Sequence, residues 1–227
     1  MGGIREDEPD QHDGVPWWPM RFVPYNGGAV LPEWVLREPT APRVCVTLGT
    51  VVPSVVGISS LEVVIEALGG MDVEMVLAGE LDLSSIGPLP SNVYSAGFHA
   101  LSAFLGTCSL IIHHGGSGTT AAPLHYGVPQ LVLPSFADNP MSAARVVERG
   151  VGLSHDPQTI DVETIRSSAQ RLLVEPSFAE AAAEVRAEMT GQPSPAAVLE
   201  RAVTAVAERY GRVTADRTDC VGARRLI

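Results

Sequence analysis

The segment Ile111–Thr120 (IIHHGGSGTT) constrains this chain more than any other. It reads as a strand that enters a glycine-rich turn and opens a helix. Such a turn aims several backbone N–H groups outward at the positive end of a helix, where a phosphate is readily held. Small residues let the backbone come close to a diphosphate without a clash. A histidine at the lip of the turn adds a donor for a second oxygen. The plainer alternative is a glycine-rich loop with two solvated histidines, because short motifs are weak alone.

The flanking sequence supplies a frame for that turn. Short apolar strands are expected at Arg43–Leu48, Val73–Leu77, Asn92–Ser95, Ser109–Ile112 and Gln130–Leu133. Helices are expected at 56–69, 116–126, 139–149, 161–174 and 176–190, with a last one at 194–210. Asp161 and Thr164 are good helix-start residues, and Gly127 and Gly150 are good stops. Strands alternating with helices imply an α/β fold, a parallel sheet covered on both faces. Ligands of such sheets bind beyond the carboxyl ends of the strands. The turns Leu48–Thr50, Gly97–His99, His113–Thr119 and Pro134–Asn139 fall there.

Around this core the chain divides by composition. Residues 1–16 are acidic with Gly and Pro, and disorder is expected. Residues 17–42 form an aromatic, proline-rich linker, too aromatic to be free and expected to lie over a globular body. The α/β domain is expected to span 43–210, and 211–227 to be a mobile tail.

Charge and cysteines narrow the function. A net charge of −11 argues against nucleic acid and against an anionic membrane surface. No apolar run reaches the roughly 18 residues of a membrane span. The acidic N-terminus shows no signal-peptide pattern. Cys45, Cys108 and Cys220 read as reduced thiols of a cytoplasmic protein, not a disulfide frame or zinc site. The histidines show no metal-ligand spacing, so no metal is expected.

Four segments in order, Arg21–Pro32, Pro42–Thr50, Ile111–Thr120 and Tyr126–Asn139, resemble the C-terminal, donor-binding half of GT-B glycosyltransferases. The similarity is greatest to the actinobacterial group that attaches deoxysugars to antibiotic aglycones. It runs from about Arg21 to Tyr210. It implies a Rossmann-like sheet, an NDP-sugar co-substrate and inverting transfer without metal or other cofactor.

Carried over by position, His114 would face the diphosphate, with Gly116, Ser117, Gly118 and Thr119 holding its oxygens. Such donors matter most as charge gathers on the leaving nucleoside diphosphate. Gly49, Thr50, Phe98 and His99 would meet the nucleoside, Phe98 by stacking and His99 through backbone groups. Phe98 reads equally well as a core aromatic. Asp138 and Asn139 would meet the sugar. His113 reads as a structural residue pointing into the sheet.

The departures from the family also carry information. Asn139 stands where glutamine is usual. Ala100 and Ser102 stand where this group commonly has proline and histidine. Ala122 stands where plant relatives have a ribose-binding glutamate, which favours a deoxyribose and hence a dTDP-sugar. The resemblance places the acceptor site and the histidine base on an N-terminal domain. His12 reads as solvated, and nothing before Arg21 is expected to form that domain. The chain therefore reads as half an enzyme, completed by a separate acceptor-binding domain or accompanied by a second copy. The stripe Leu199, Val203, Val206 and Tyr210 on the last helix fits either such a partner or the chain's own body.

Two rival functions remain at this level. Gly116–Ala121 formally fits the G-x-G-x-x-A fingerprint of dinucleotide-binding oxidoreductases, with Asp138 about twenty residues on. That fingerprint belongs after the first strand of its unit, and here it follows the fourth. The other rival is a non-catalytic sugar-nucleotide-binding or scaffold protein.

Overall fold

The computed structural model describes residues 17–25, 33–49, 59–79, 83, 86–97 and 99–222, with the backbone alone at Leu36 and over 210–222. Thr50, Phe98 and the expected disordered stretch 1–16 lie outside the described residues.

Two units make up the chain, 22–190 and the combination of 1–21 with 191–227. In the larger unit the elements follow in order: α1 (Glu33–Leu36), β1 (Arg43–Thr47), α2 (Ser59–Gly69), β2 (Glu74–Ala78), β3 (Val93–Gly97), β4 (Leu110–His113), α3 (Ser117–Tyr126), β5 (Gln130–Val132), α4 (Asn139–Glu148), β6 (Gly152–Ser154), α5 (Val162–Val174) and α6 (Pro176–Gly191). All strand pairs are parallel, and the order is β3-β2-β1-β4-β5-β6. This is the doubly wound order whose switch point lies between β1 and β4.

Alternation along each strand feeds two different cores. Val44, Val46, Met75, Leu77, Leu110 and Ile112 pack with Leu61 and Leu68 of α2 and Ile165, Ala169 and Leu172 of α5. Their neighbours Cys45, Val76 and Ile111 pack with Phe104, Val128 and Ala122 on the other side. Cys45 and Cys108 are free and buried. Burial pushes the Cys45 thiol well up, with Cys108 adding to it, and pushes Cys108 up to about 12, so neither is a thiolate near neutrality.

The sequence expectations need three corrections here. First, β6 was absent from them. It is only three residues long and, among the described residues, pairs with β5 alone. It fits because residue 152 is glycine: a Cβ there would fall 2.0 Å from the Gln130 carbonyl oxygen.

Second, the strand expected as an apolar run at Arg43–Leu48 opens with a charged residue, Arg43, that is fully buried. Its guanidinium bonds Glu74 at 3.1 Å and Thr107 Oγ1 at 2.6 Å, and lies 5.2 Å from the Trp34 ring centre. Trp34 meets Phe104 edge-on at 5.4 Å. Thr40 donates from N–H and Oγ1 to Glu74, at 2.9 and 3.0 Å. Trp34, on the short helix α1 before β1, is thus packed on the α/β body.

Third, the last helix, α7, runs Pro195–Gly222, well past Gly211 where a mobile tail was expected. Leu199, Val203 and Val206 are exposed on it, while the side chain of Tyr210 lies outside the described residues. Within this smaller unit the Arg201 guanidinium sits 4.3 Å from the Trp18 ring centre, and the Arg21 N–H donates to the Pro193 carbonyl at 2.8 Å. Among the described residues no helix is long and apolar enough to cross a membrane.

Candidate nucleotide site

β4 ends at His113, and the chain then turns through Gly115, whose φ is +90°. Only glycine fits this turn. A Cβ on residue 115 would meet the Asn139 carbonyl oxygen and Val132 Cγ1, both at 3.0 Å. Gly116 caps α3 without any side-chain cap, and no acidic residue sits in the first turn. The Thr120 N–H closes the first helical bond onto the Gly116 carbonyl at 2.8 Å. The amides of Ser117, Gly118 and Thr119 precede it and have no acceptor within the helix. Ser117 and Gly118 are exposed, and a Cβ on Gly118 would touch nothing within 4 Å. The turn therefore offers open, donor-rich, positive space.

His114 stands at the edge of that space with its ring clamped. A Cβ on Gly49 would fall 2.6 Å from its Cε1, and one on Gly116 would fall 2.6 Å from its Nε2. Gly49 follows β1, so the ring bridges the two strands of the switch point. Its Nδ1 is buried and makes no hydrogen bond of ordinary geometry. Burial holds its pKa below the usual value, against weaker opposing effects of the Thr47 backbone and the Asp138 charge. His114 is therefore neutral near pH 7.

His113 is fully buried, its ring nearly perpendicular to that of His114 at 6.4 Å. The Gly115 N–H donates to its Nδ1 at 3.0 Å, so Nδ1 carries no proton. Nε2–H then donates to Gln130 Oε1 at 2.8 Å. Flipping the Gln130 amide would set donor against donor. The adopted orientation leaves Gln130 Nε2 buried without a partner, so it prevails at some cost. Burial pushes His113 down to about 3, with the Gln130 bond opposing and His114 reinforcing. The structural role read for His113 agrees with this geometry.

The remaining expected site residues divide. Asp138 is exposed at the start of α4 and spends no side-chain bond on capping. Ala137 before it has φ +56°, a conformation that a non-glycine residue holds only at a cost. Asn139, expected to meet a sugar, is only 4% exposed and backs Gly115. Gly49 has its amide engaged, donating to Thr47 Oγ1 at 3.2 Å. The His99 N–H donates to the Gly97 carbonyl at 3.1 Å, and His99 Nδ1 bonds the Ala96 carbonyl. Its amide is thus not free for a base edge, and its carbonyl is what it can offer. Ala122 is buried in the apolar cluster with Phe104, so its position gives no support to a choice of ribose. Sequence reading missed Thr47 and Gln130. The one signal for Gln130 is a lone amide at the head of an apolar strand.

Comparison with known proteins extends this picture. Residues 62–205 match the family described as erythromycin biosynthesis protein CIII-like, C-terminal domain. The chain belongs to that family. Residues 8–49 match the N-terminal domain of the same CIII-like proteins. The CIII-like chain is 44% identical over 185 residues to aclacinomycin-T 2-deoxy-L-fucose transferase of Streptomyces galilaeus, covering 79% of this chain and 42% of that one. Among solved structures it is similar to spinosyn forosaminyltransferase SpnP, with TM-score 0.78 and 38% identity over 85% of this chain and 51% of SpnP. It is also similar to glycosyltransferase VinC in complex with dTDP, with TM-score 0.76 and 35% identity over 86% of this chain and 49% of VinC. The CIII-like chain thus spans about half the length of the relatives it matches and has the fold of the C-terminal half of GT-B enzymes.

Proposed function

We propose that this chain binds the nucleoside diphosphate of an activated deoxysugar, a dTDP-sugar, as the donor side of a glycosyltransferase acting on a natural-product aglycone. The observation that carries the reading is the His114 ring, held between Gly49 and Gly116 beside the uncapped start of α3. Diphosphate oxygens on the amides of Ser117, Gly118 and Thr119 would have His114 Nε2 at their flank. Asp138 is free to accept bonds from sugar hydroxyls, and Gly49 and His99 border the nucleoside. The dTDP held by VinC, a relative of similar fold, supports the thymidine assignment.

In transfer, an acceptor oxygen bonds to the anomeric carbon as the bond from that carbon to the diphosphate oxygen breaks. The nucleoside diphosphate leaves with the electron pair, and the acceptor proton passes to a base. Donors fixed before the reaction stabilise the charge that gathers on the leaving group. No base is assigned to this chain, and the acceptor site is proposed to lie on a partner half or domain.

Thermal melts of the chain with dTDP, UDP and NAD test the reading. At about 100 times its dissociation constant a ligand adds ~2.7 kcal/mol. The expected result is protection by dTDP above UDP, none by NAD, and loss of protection in His114→Ala. Protection by NAD alone would favour a dinucleotide site. Donor binding with no deoxysugar transfer in the presence of an acceptor-binding half would favour a scaffold.

A further inference from the structure

Thr47 and His113 are register partners at the ends of β1 and β4. Each side chain accepts a hydrogen bond from the amide two residues on. Thr47 Oγ1 takes the Gly49 N–H at 3.2 Å, and His113 Nδ1 takes the Gly115 N–H at 3.0 Å. Both glycines have positive φ, +69° and +90°. Thr47 is 4% exposed and His113 fully buried, so neither acceptor is diluted by solvent. The His113 bond arches over residue 114 and restricts its backbone. The Thr47 bond sets Gly49, which lies against the His114 ring.

We propose that Thr47 and His113 are a matched pair of positioning residues that fix the His114 ring for the nucleoside diphosphate. The inference rests on the donor-site reading above. Two adjacent strands end in the same device: Gly49 of one lies against the His114 imidazole, and Gly115 of the other directly follows His114 in the chain. Gln130 completes it by accepting from Nε2–H, which leaves Nδ1 bare for Gly115.

The test pairs variants that keep or lose the acceptor, in the full 227-residue chain. Thr47→Ser keeps the oxygen, and Thr47→Val keeps the shape without it. His113→Asn places an acceptor near Nδ1, and His113→Gln places its amide near Nε2 and leaves Gly115 unserved. Calorimetry with dTDP is expected to show a loss of about tenfold or more for Val and Gln. Ser and Asn are expected to stay within about threefold of the unsubstituted chain. Melting temperature without ligand should not track this split. Equal affinities within each pair, or losses that follow melting temperature alone, would overturn the proposal.

A second measurement needs neither ligand nor buried substitution at His113. Nitrogen-15 spectra of the unsubstituted chain should show His113 Nδ1 without a proton across the neutral range, and a proton there overturns the proposal. The Gly49 amide should be protected from hydrogen exchange in the unsubstituted chain and Thr47→Ser but not in Thr47→Val, where the His114 ring signals should broaden or split. Unchanged exchange and ring signals in Thr47→Val would also overturn it. If dTDP fails to bind the unsubstituted chain, the donor-site reading falls, and these spectra alone decide the positioning role.

Discussion

Gly49 and His114 share one volume: a Cβ on residue 49 would lie 2.6 Å from Cε1 of the imidazole, 3.0 Å from Nε2 and 3.3 Å from Nδ1. The loop after β1 is thus shaped around a side chain from the loop after β4. A Cβ on Gly116 would meet the same ring at 2.6 Å from Nε2. Two glycines that would otherwise read as flexible linkers are the walls of a histidine slot.

Alanine at these two walls should have separable effects. Residue 49 has φ +69°, so Gly49→Ala adds backbone strain of about 1–2 kcal/mol to the clash. Residue 116 has φ −59°, which alanine adopts freely, and the exchange there costs under about 1 kcal/mol as a cap. Both should weaken dTDP binding, but only Gly49→Ala should lower urea stability clearly. Titration calorimetry and urea unfolding on the same preparations check this.

Affinity for dTDP should rise as the solution is acidified. His114 is neutral near pH 7 because burial holds its pKa down. A diphosphate favours the imidazolium, so the bound pKa exceeds the free one. Affinity is then flat above the bound pKa, climbs as pH falls through it, and levels below the free pKa. A flat profile for the residual binding of His114→Ala, by calorimetry at raised dTDP concentration and several pH values, is the expected control.

His113 should make the fold acid-sensitive. Its folded pKa of about 3 lies below the ordinary 6.5, so the unfolded chain binds the extra proton. The stability it contributes is complete above 6.5 and is lost as pH falls below that value toward 3. Between 6.5 and about 5 the loss should be ~1.5 kcal/mol from this group alone. Urea midpoints for the unsubstituted chain and His113→Asn should converge over that range.

Glu74→Gln should destabilise the domain and spare the site. It would strip the charge partner from a guanidinium that has no exposure. Breaking such a pair costs about 3–5 kcal/mol. Burial alone would raise the Glu74 pKa, but the Thr40 bonds and Arg43 together bring it below the usual value. Its stabilisation therefore persists above the ordinary carboxylate range and fades as pH falls through the lowered pKa. The pair sits at the starts of β1 and β2, away from His114, so dTDP affinity in the still-folded variant should be unchanged.

The alternation of strands and helices, and the glycine turn before α3, were legible from neighbouring residues alone. Hydrophobic period and turn chemistry are local, and they brought five of the six strands among the described residues within a residue or two of their positions. β6 escaped because three residues carry no period, and Gly152 is explained only by the Gln130 carbonyl beside it. The burial of Arg43 is explained only by Glu74, Thr107 and Trp34, which the fold brings around it. The sequence determined that a glycine-rich turn opens α3 and which histidine stands at its lip. Only the tertiary structure decided how that histidine is held, because Gly49, Thr47 and Gln130 reach it through strand order, which lets residues far apart in the chain share a few ångströms of space.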